Sequence, residues 1–117
     1  MLNTGLVVVV TEEPLVRKVL TDTLEAEGWV VLALDDGAEL LDFVEFVSAH
    51  PGRRIAPRLV VADAAVPGPS VFETADWARR HGVEVPFVLF TGAADQKTKD
   101  LARALGAVEV VHDALAA

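Results

Sequence analysis

Cysteine is absent from this chain of 117 residues, so neither a disulfide framework nor a thiolate metal site can be built from it. Basic residues are scarce. Ten Lys and Arg stand against 18 Asp and Glu, for a formal charge of −8. A surface of that sign repels phosphates and disfavours direct binding of DNA or RNA. No basic stretch precedes the apolar run Leu6–Val10, and that run is too short to span a membrane. A cytoplasmic location is therefore expected, rather than a secreted or membrane one. Internal repeats, low-complexity tracts and linkers are also missing. Ala49-His50-Pro51-Gly52-Arg53-Arg54 reads as a local basic turn. No glycine-rich phosphate loop follows Leu6–Val10, and no Ser or Cys nucleophile sits at a strand-to-helix elbow. What is present is a globular composition, 52% hydrophobic and 24% charged, in one domain spanning 1–117.

Strands and helices alternate. Leu6–Val10 is a continuous apolar run, the mark of a strand buried on both faces. Pro14 suits the first turn of a helix, in which Val16, Leu20 and Leu24 form a core-facing stripe with Leu15 and Val19 beside it. Gly28 closes that helix, and Trp29–Leu34 is a second strand. Asp36 can cap a helix containing Leu40, Leu41, Phe43, Val44 and Val47. Leu59–Ala62 is the third strand. Ser70 followed by Glu73 is a capping-box pattern that opens a helix to about His81-Gly82. Val85–Phe90 is the fourth strand, Asp95 can cap a helix through Leu101 and Leu105, and Val108–Val111 is the fifth. Trp29 and Trp77 read as packing residues rather than ligand platforms.

Such alternation implies an α/β fold. It predicts a flavodoxin-like, doubly wound parallel sheet of five strands in the order 2-1-3-4-5. The switch point lies between the first and third strands, where the loops carrying Thr11-Glu12-Glu13 and Asp63 meet. A carboxylate cluster there suits a hard cation such as Mg²⁺, or a nucleophilic acid that takes a phosphoryl group. The two Glu also favour the N-terminus of the following helix through its dipole, whatever else they do. Thr91 adds a hydroxyl at the same rim, a position that a turn or cap residue also fills.

Together these residues resemble the receiver domain of two-component response regulators, as a divergent member. The likeness runs through Val9-Val10-Thr11-Glu12-Glu13-Pro14, Gly28-Trp29-Val30-Val31, Asp36-Gly37-Ala38-Glu39, Pro57–Asp63 with Val66-Pro67-Gly68 and Ser70, Pro86–Thr91 with Gly92-Ala93, and Leu105-Gly106-Ala107. The resemblance implies that Asp63 is the phosphoacceptor and Thr91 the switch hydroxyl. It implies a Mg²⁺ site formed by Glu12, Asp63 and the backbone carbonyl of Ala65, with Thr11 as a further contact. It also implies a histidine kinase or phosphotransfer protein as partner, and a signalling role rather than an enzymatic one.

Four positions depart from the family pattern. Thr11 replaces the first acid of the pair, and Glu12 is one methylene longer than the usual Asp. Val110 stands where an aromatic switch residue is common. Asp113 stands at the position of the family's Lys, and no Lys follows Lys99. Only four residues follow Asp113, too few for the family's fifth helix, which is expected to be missing or truncated. The expectation is a receiver with impaired or phosphorylation-independent switching. A fully competent phosphoacceptor is the alternative, and an unrelated enzyme on a flavodoxin-like sheet is disfavoured. A homodimer or a partner helix is expected at the face of the fifth strand.

Overall fold

The computed structural model describes residues 5–52, 56–91 and 108–112. The elements run β1 (Leu6–Val10), α1 (Pro14–Ala26), β2 (Val30–Leu34), α2 (Gly37–Ala49), β3 (Leu59–Asp63), α3 (Val71–Arg80), β4 (Phe87–Thr91) and β5 (Val108–His112). Every strand pairing is parallel, and the order is β2-β1-β3-β4-β5. Sequence alternation therefore reads the topology correctly. The helix expected after Asp95, and the fate of a fifth helix, lie outside the described residues.

β1 is an interior strand, paired with β2 on one side and β3 on the other. Its valines Val7 to Val10 are all 0% exposed, as a strand covered on both faces requires. Val8 and Val10 join one core with Val60, Ala62 and Leu89 of neighbouring strands, Leu40 and Val44 of α2, and Val71 and Ala75 of α3. Val7 and Val9 alternate to the other face. α1 packs on β1 and β2. Its stripe is shallower than its periodicity suggests. Val16, Leu20 and Leu24 are half-buried, no residue of α1 is fully buried, and Leu15 and Val19 are exposed.

Strand ends differ from the sequence reading by one or two residues. β2 begins at Val30 rather than Trp29, because the Trp29 N–H bonds back to Leu24 at the end of α1. β4 begins at Phe87 rather than Val85, since Pro86 has no N–H to donate to the ladder; its carbonyl accepts from Val60 at 3.0 Å. β3 extends one residue further, through Asp63, which pairs with Phe90.

Of the three predicted caps, Asp36 and Ser70 form, and Asp95 lies outside the described residues. The Asp36 side chain accepts from the Glu39 N–H, and the Ser70 hydroxyl accepts from the Phe72 and Glu73 N–H groups. Ser70→Ala is expected to cost about 1 kcal/mol through loss of that cap. Thermal denaturation checks this, with Ser70→Asp expected to stay near wild type. Among the described residues no helix is long and apolar enough to cross a membrane.

Candidate functional site

The parallel register aligns the carboxyl ends of the strands. Val10 lies opposite Ala62 and Leu34, so Thr11 and Asp63 occupy the next step on adjacent strands, a spacing of about 4.8 Å. Asp63 is opposite Phe90, and Thr91 follows Phe90 at the end of β4. Thr91 in turn lies opposite His112, the last residue of β5. The rim at the switch point is therefore assembled from β1, β3, β4 and β5, as the strand order demands. Asp113 lies outside the described residues, directly after His112 in the chain.

Asp63 is half-buried. Its Oδ1 accepts the Ala65 N–H at 2.8 Å, an Asx-turn that starts the following loop. Among the described residues nothing donates to its Oδ2, the oxygen left for chemistry. Ala64 continues the β3–β4 ladder by donating to the Phe90 carbonyl at 2.9 Å, and the Val66 N–H closes a turn onto the Asp63 carbonyl at 3.3 Å. Ala65 is exposed.

Thr11 is wholly enclosed, at 0% exposure. Its N–H donates to the Leu34 carbonyl at 3.1 Å, and its hydroxyl oxygen accepts the Glu13 N–H at 3.1 Å. That second bond shapes the start of α1. Glu13 is the N-cap of α1, in extended conformation, and its carbonyl accepts from Arg17 at 3.0 Å. Glu12 and Glu13 are both exposed. The expected meeting of three acids does not occur: among the described residues no three Asp, Glu or His gather closely enough to hold a metal ion. Glu13 holds the N-cap position through its backbone alone, with no side-chain cap bond, and Thr11 brings no charge.

One residue escaped the sequence reading. Arg17 of α1 reaches back to the rim, where its guanidinium donates to the Thr11 carbonyl at 2.6 Å and pairs with Asp35 just beyond β2. Asp35 in turn donates its N–H to Glu39 at 2.6 Å, which ties the pair to the cap of α2. The loops hold no basic residue, so a cation had to come from a helix. Helical geometry places Arg17 one turn into α1. Only the position of β2 beside β1 brings Asp35 to it.

The loop after Asp63 is clamped to α2. The Gly37 N–H donates to the Pro67 carbonyl at 2.9 Å, and Gly68 turns with φ 91°, a conformation that glycine adopts without strain. Ser70 ends the loop as the cap of α3. Asp63 thus sits on a segment held at the N-termini of two helices.

A doubly wound parallel sheet in the order β2-β1-β3-β4-β5 places the chain in the flavodoxin-like α/β class, with the acid Asp63 at its switch point. The sequence agrees: the family model for the response regulator receiver domain matches residues 7–115, and the chain belongs to that family of two-component signalling domains. No curated protein matches it in sequence. Among solved structures it is similar to the chemotaxis response regulator CheY4 of Vibrio cholerae, with TM-score 0.77 and 19% identity, covering 97% of this chain and 89% of that one. It is similar to the signal receiver domain of the putative response regulator NarL from Mycobacterium tuberculosis, with TM-score 0.74, 23% identity and coverages of 92% and 83%. The receiver domain of the histidine kinase CKI1 from Arabidopsis thaliana, complexed with Mg²⁺ and BeF₃⁻, matches with TM-score 0.77, 20% identity and coverages of 92% and 80%.

Proposed function

We propose that this receiver carries its phosphoacceptor at Asp63 and that phosphoryl transfer to it is impaired, with switching driven wholly or partly by another input. The β1–β3 register carries this reading: beside Asp63 stands buried, uncharged Thr11 instead of an acid. The cation that α1 brings to the rim, Arg17, is held by the Thr11 carbonyl and Asp35. Asp113 adds a negative charge to the sequence where the family has a Lys.

The donor set fits Mg²⁺ in a reduced form. Asp63, Glu12 and the carbonyl of Ala65 are the residues that would hold it. Mg²⁺ is satisfied by one or two carboxylates with water, but demands near-octahedral geometry that the longer Glu12 meets less readily. When bound, the ion supplies neutralisation of the phosphoryl charge. The chain's own part is simpler. Asp63 presents a carboxylate oxygen in line with a phosphorus atom. As that oxygen bonds to phosphorus, the bond to the donor's nitrogen or oxygen breaks, and the donor leaves with the electron pair. Thr91 is the hydroxyl that hydrogen-bonds the transferred group. A rearrangement at Asp63 then reaches α2 through the Pro67 carbonyl and α3 through Ser70.

The donor in this reading is a histidine kinase or phosphotransfer protein, and the domain is a cytoplasmic signalling module rather than an enzyme. Self-association or a partner helix at the β5 face completes the proposal, supported by the edge position of β5. A clean monomer across a wide concentration range in light scattering counts against that last part.

The decisive measurement is incubation with Mg²⁺ and a small acyl phosphate, followed by intact mass, with Asp63→Ala as control. Substoichiometric phosphorylation that disappears in Asp63→Ala is expected. Full, Asp63-dependent phosphorylation overturns impairment and leaves a competent receiver. A phosphorylation that persists in Asp63→Ala overturns the assignment of Asp63.

A further inference from the structure

We propose that Arg17 is a positioning residue for the cation at the Asp63 rim: by holding the Thr11 carbonyl it fixes the backbone that presents Glu12. The proposal rests on the reading of Glu12 as a Mg²⁺ ligand. Glu12 is exposed, and among the described residues no cation pairs with its carboxylate. A long side chain left to itself has many rotamers, so only its backbone can be set in advance. The peptide units on either side of Glu12 are both anchored. In the one before it, the Thr11 carbonyl accepts from the Arg17 guanidinium at 2.6 Å. In the one after it, the Glu13 N–H donates to the Thr11 hydroxyl at 3.1 Å. A peptide unit is planar, so a bond to one of its polar groups restrains the whole plane. With both planes restrained, so is the direction in which Glu12 leaves the chain.

Arg17 acts through that backbone rather than on a phosphoryl group. Its other partner, Asp35, follows β2, whereas Asp63 ends β3 on the opposite side of β1. A single nitrogen, Nη2, serves both the Thr11 carbonyl and Asp35. Asp35 is itself anchored. Its N–H donates to Glu39 at 2.6 Å, and the Glu39 N–H donates to Asp36 at 2.9 Å. In the same turn of α2 the Gly37 N–H holds the Pro67 carbonyl, in the loop after Asp63, at 2.9 Å. One helical turn therefore braces both loops that carry the cation's ligands. It reaches Glu12 through Asp35 and Arg17, and the Asp63–Ala65 segment through Pro67.

Charge and position predict opposite effects for this residue. As a cation Arg17 repels a second cation, so a purely electrostatic role means that its removal tightens metal binding. As a positioning residue it helps to form the site, and its removal loosens binding. Groups that orient a metal's ligands typically carry about tenfold or more in affinity. The pair can be removed with no change in net charge, because Asp35 leaves with Arg17. Its side chains are 31% and 64% exposed, so it contributes little to folding.

The test uses the full chain and Mn²⁺ alone, an ion that takes the same oxygen ligands, with binding read from the loss of the free ion's paramagnetic resonance signal. Wild type should bind it saturably. The double variant Arg17→Met, Asp35→Asn should bind about tenfold more weakly. The double variant Lys18→Met, Asp22→Asn removes another exposed pair of α1 and also keeps the net charge. It should stay within about twofold of wild type. Arg17→Lys keeps the charge and an N–H for the Thr11 carbonyl, and should stay within about threefold. Circular dichroism checks the fold of each. The Mg²⁺ concentration for half-maximal phosphorylation of Asp63 should rise about tenfold in the first double variant, with product recovered at high Mg²⁺. Absence of saturable Mn²⁺ binding to wild type overturns the proposal. So does unchanged or tighter binding in the first double variant, or an equal loss in the Lys18 control, the mark of a general loosening of α1. A loss in Arg17→Lys as large as in the double variant removes the carbonyl bond as the cause and overturns it too. If Mn²⁺ binding shifts as expected but Asp63 takes no phosphate, the phosphoacceptor reading falls and the positioning role stands.

Discussion

Gly37→Ala is expected to lower the unfolding free energy by about 2–4 kcal/mol, combining overpacking with the loss of one buried hydrogen bond. An alanine Cβ at this position would lie 2.0 Å from the Pro69 carbonyl oxygen and 3.0 Å from its carbonyl carbon. Those are backbone atoms, so no rotamer change relieves the clash. The loop after Asp63 has to move, and the Gly37 N–H bond to Pro67 goes with it. The loss is a large share of a total stability of about 5–15 kcal/mol, and a fall in Tm of about 10 °C or more follows. Gly52 provides the control. Nothing lies within 4 Å of a Cβ built there. Gly52→Ala should therefore stay within about 0.5 kcal/mol of wild type. Thermal and urea denaturation of the two variants check both statements. Equal, small losses would show that the loop yields freely, and with it that α2 is not clamped to the Asp63 segment. Because the clamp is beside the site, Gly37→Ala should also change the extent of Asp63 phosphorylation at temperatures where it remains folded.

Asp113→Lys is expected to raise phosphorylation of Asp63 by a small acyl phosphate at least about tenfold at fixed Mg²⁺. Two unit charges about 4 Å apart interact by roughly 4 kcal/mol at an effective dielectric of about 20. A carboxylate near a doubly charged phosphoryl group repels it, and an ammonium in the same place attracts it. Reversing the sign removes the first effect and adds the second, so a tenfold gain, about 1.4 kcal/mol, is a cautious fraction of the Coulombic difference. Asp113→Ala should fall between the two, since it only removes repulsion. The gain should shrink as salt rises, because part of it acts through solvent. Intact mass after a timed reaction reads all of this, with Asp63→Ala in the Asp113→Lys background expected to give no product. An unchanged rate in Asp113→Lys would remove Asp113 from the site. Asp113 comes into consideration through its place in the sequence at the family's Lys position, directly after His112, which pairs with Thr91.

The two departures act on different parts of the reaction, and the variants can separate them. Thr11→Asp restores the missing acid at the β1 end. It should raise Mg²⁺ dependence rather than the response to salt. It also carries a cost that Asp113→Lys does not. Thr11 is 0% exposed and its hydroxyl holds the Glu13 N–H, so a charge there has to draw on Arg17 for its partner.

Much of the fold was legible because its signals are local. The valine run of β1, Pro14 at the head of α1, and the caps Asp36 and Ser70 each act within one turn of chain. Parallel pairing followed from alternation, since strands joined by helices leave few other topologies. Asp63 was visible for the same reason: an acid ending an apolar strand marks the carboxyl edge of a parallel sheet. What failed was proximity. Thr11-Glu12-Glu13 reads as a pair of acids beside Asp63, yet among the described residues these acids do not gather closely enough to hold a metal ion. The depth of α1 was overread as well, because periodicity shows which face turns inward but not what covers it. Leu15 and Val19 stay exposed on an otherwise correct helix.

The sequence by itself determined the class of fold, the order of its elements, the acid at the end of β3 and the departures at Thr11 and Asp113. These are properties of residue type and spacing, and they hold before any contact is made. Tertiary structure decided three other things. It joined Arg17 to Asp35 across β1 and β2, it seated Gly37 against Pro69, and it opened a cleft between α2 and α3 lined by Leu41, Phe72 and Trp77. Each of these depends on two segments far apart in the chain being brought to within a few ångströms. That closeness comes from sheet order and helix packing, which no local pattern encodes.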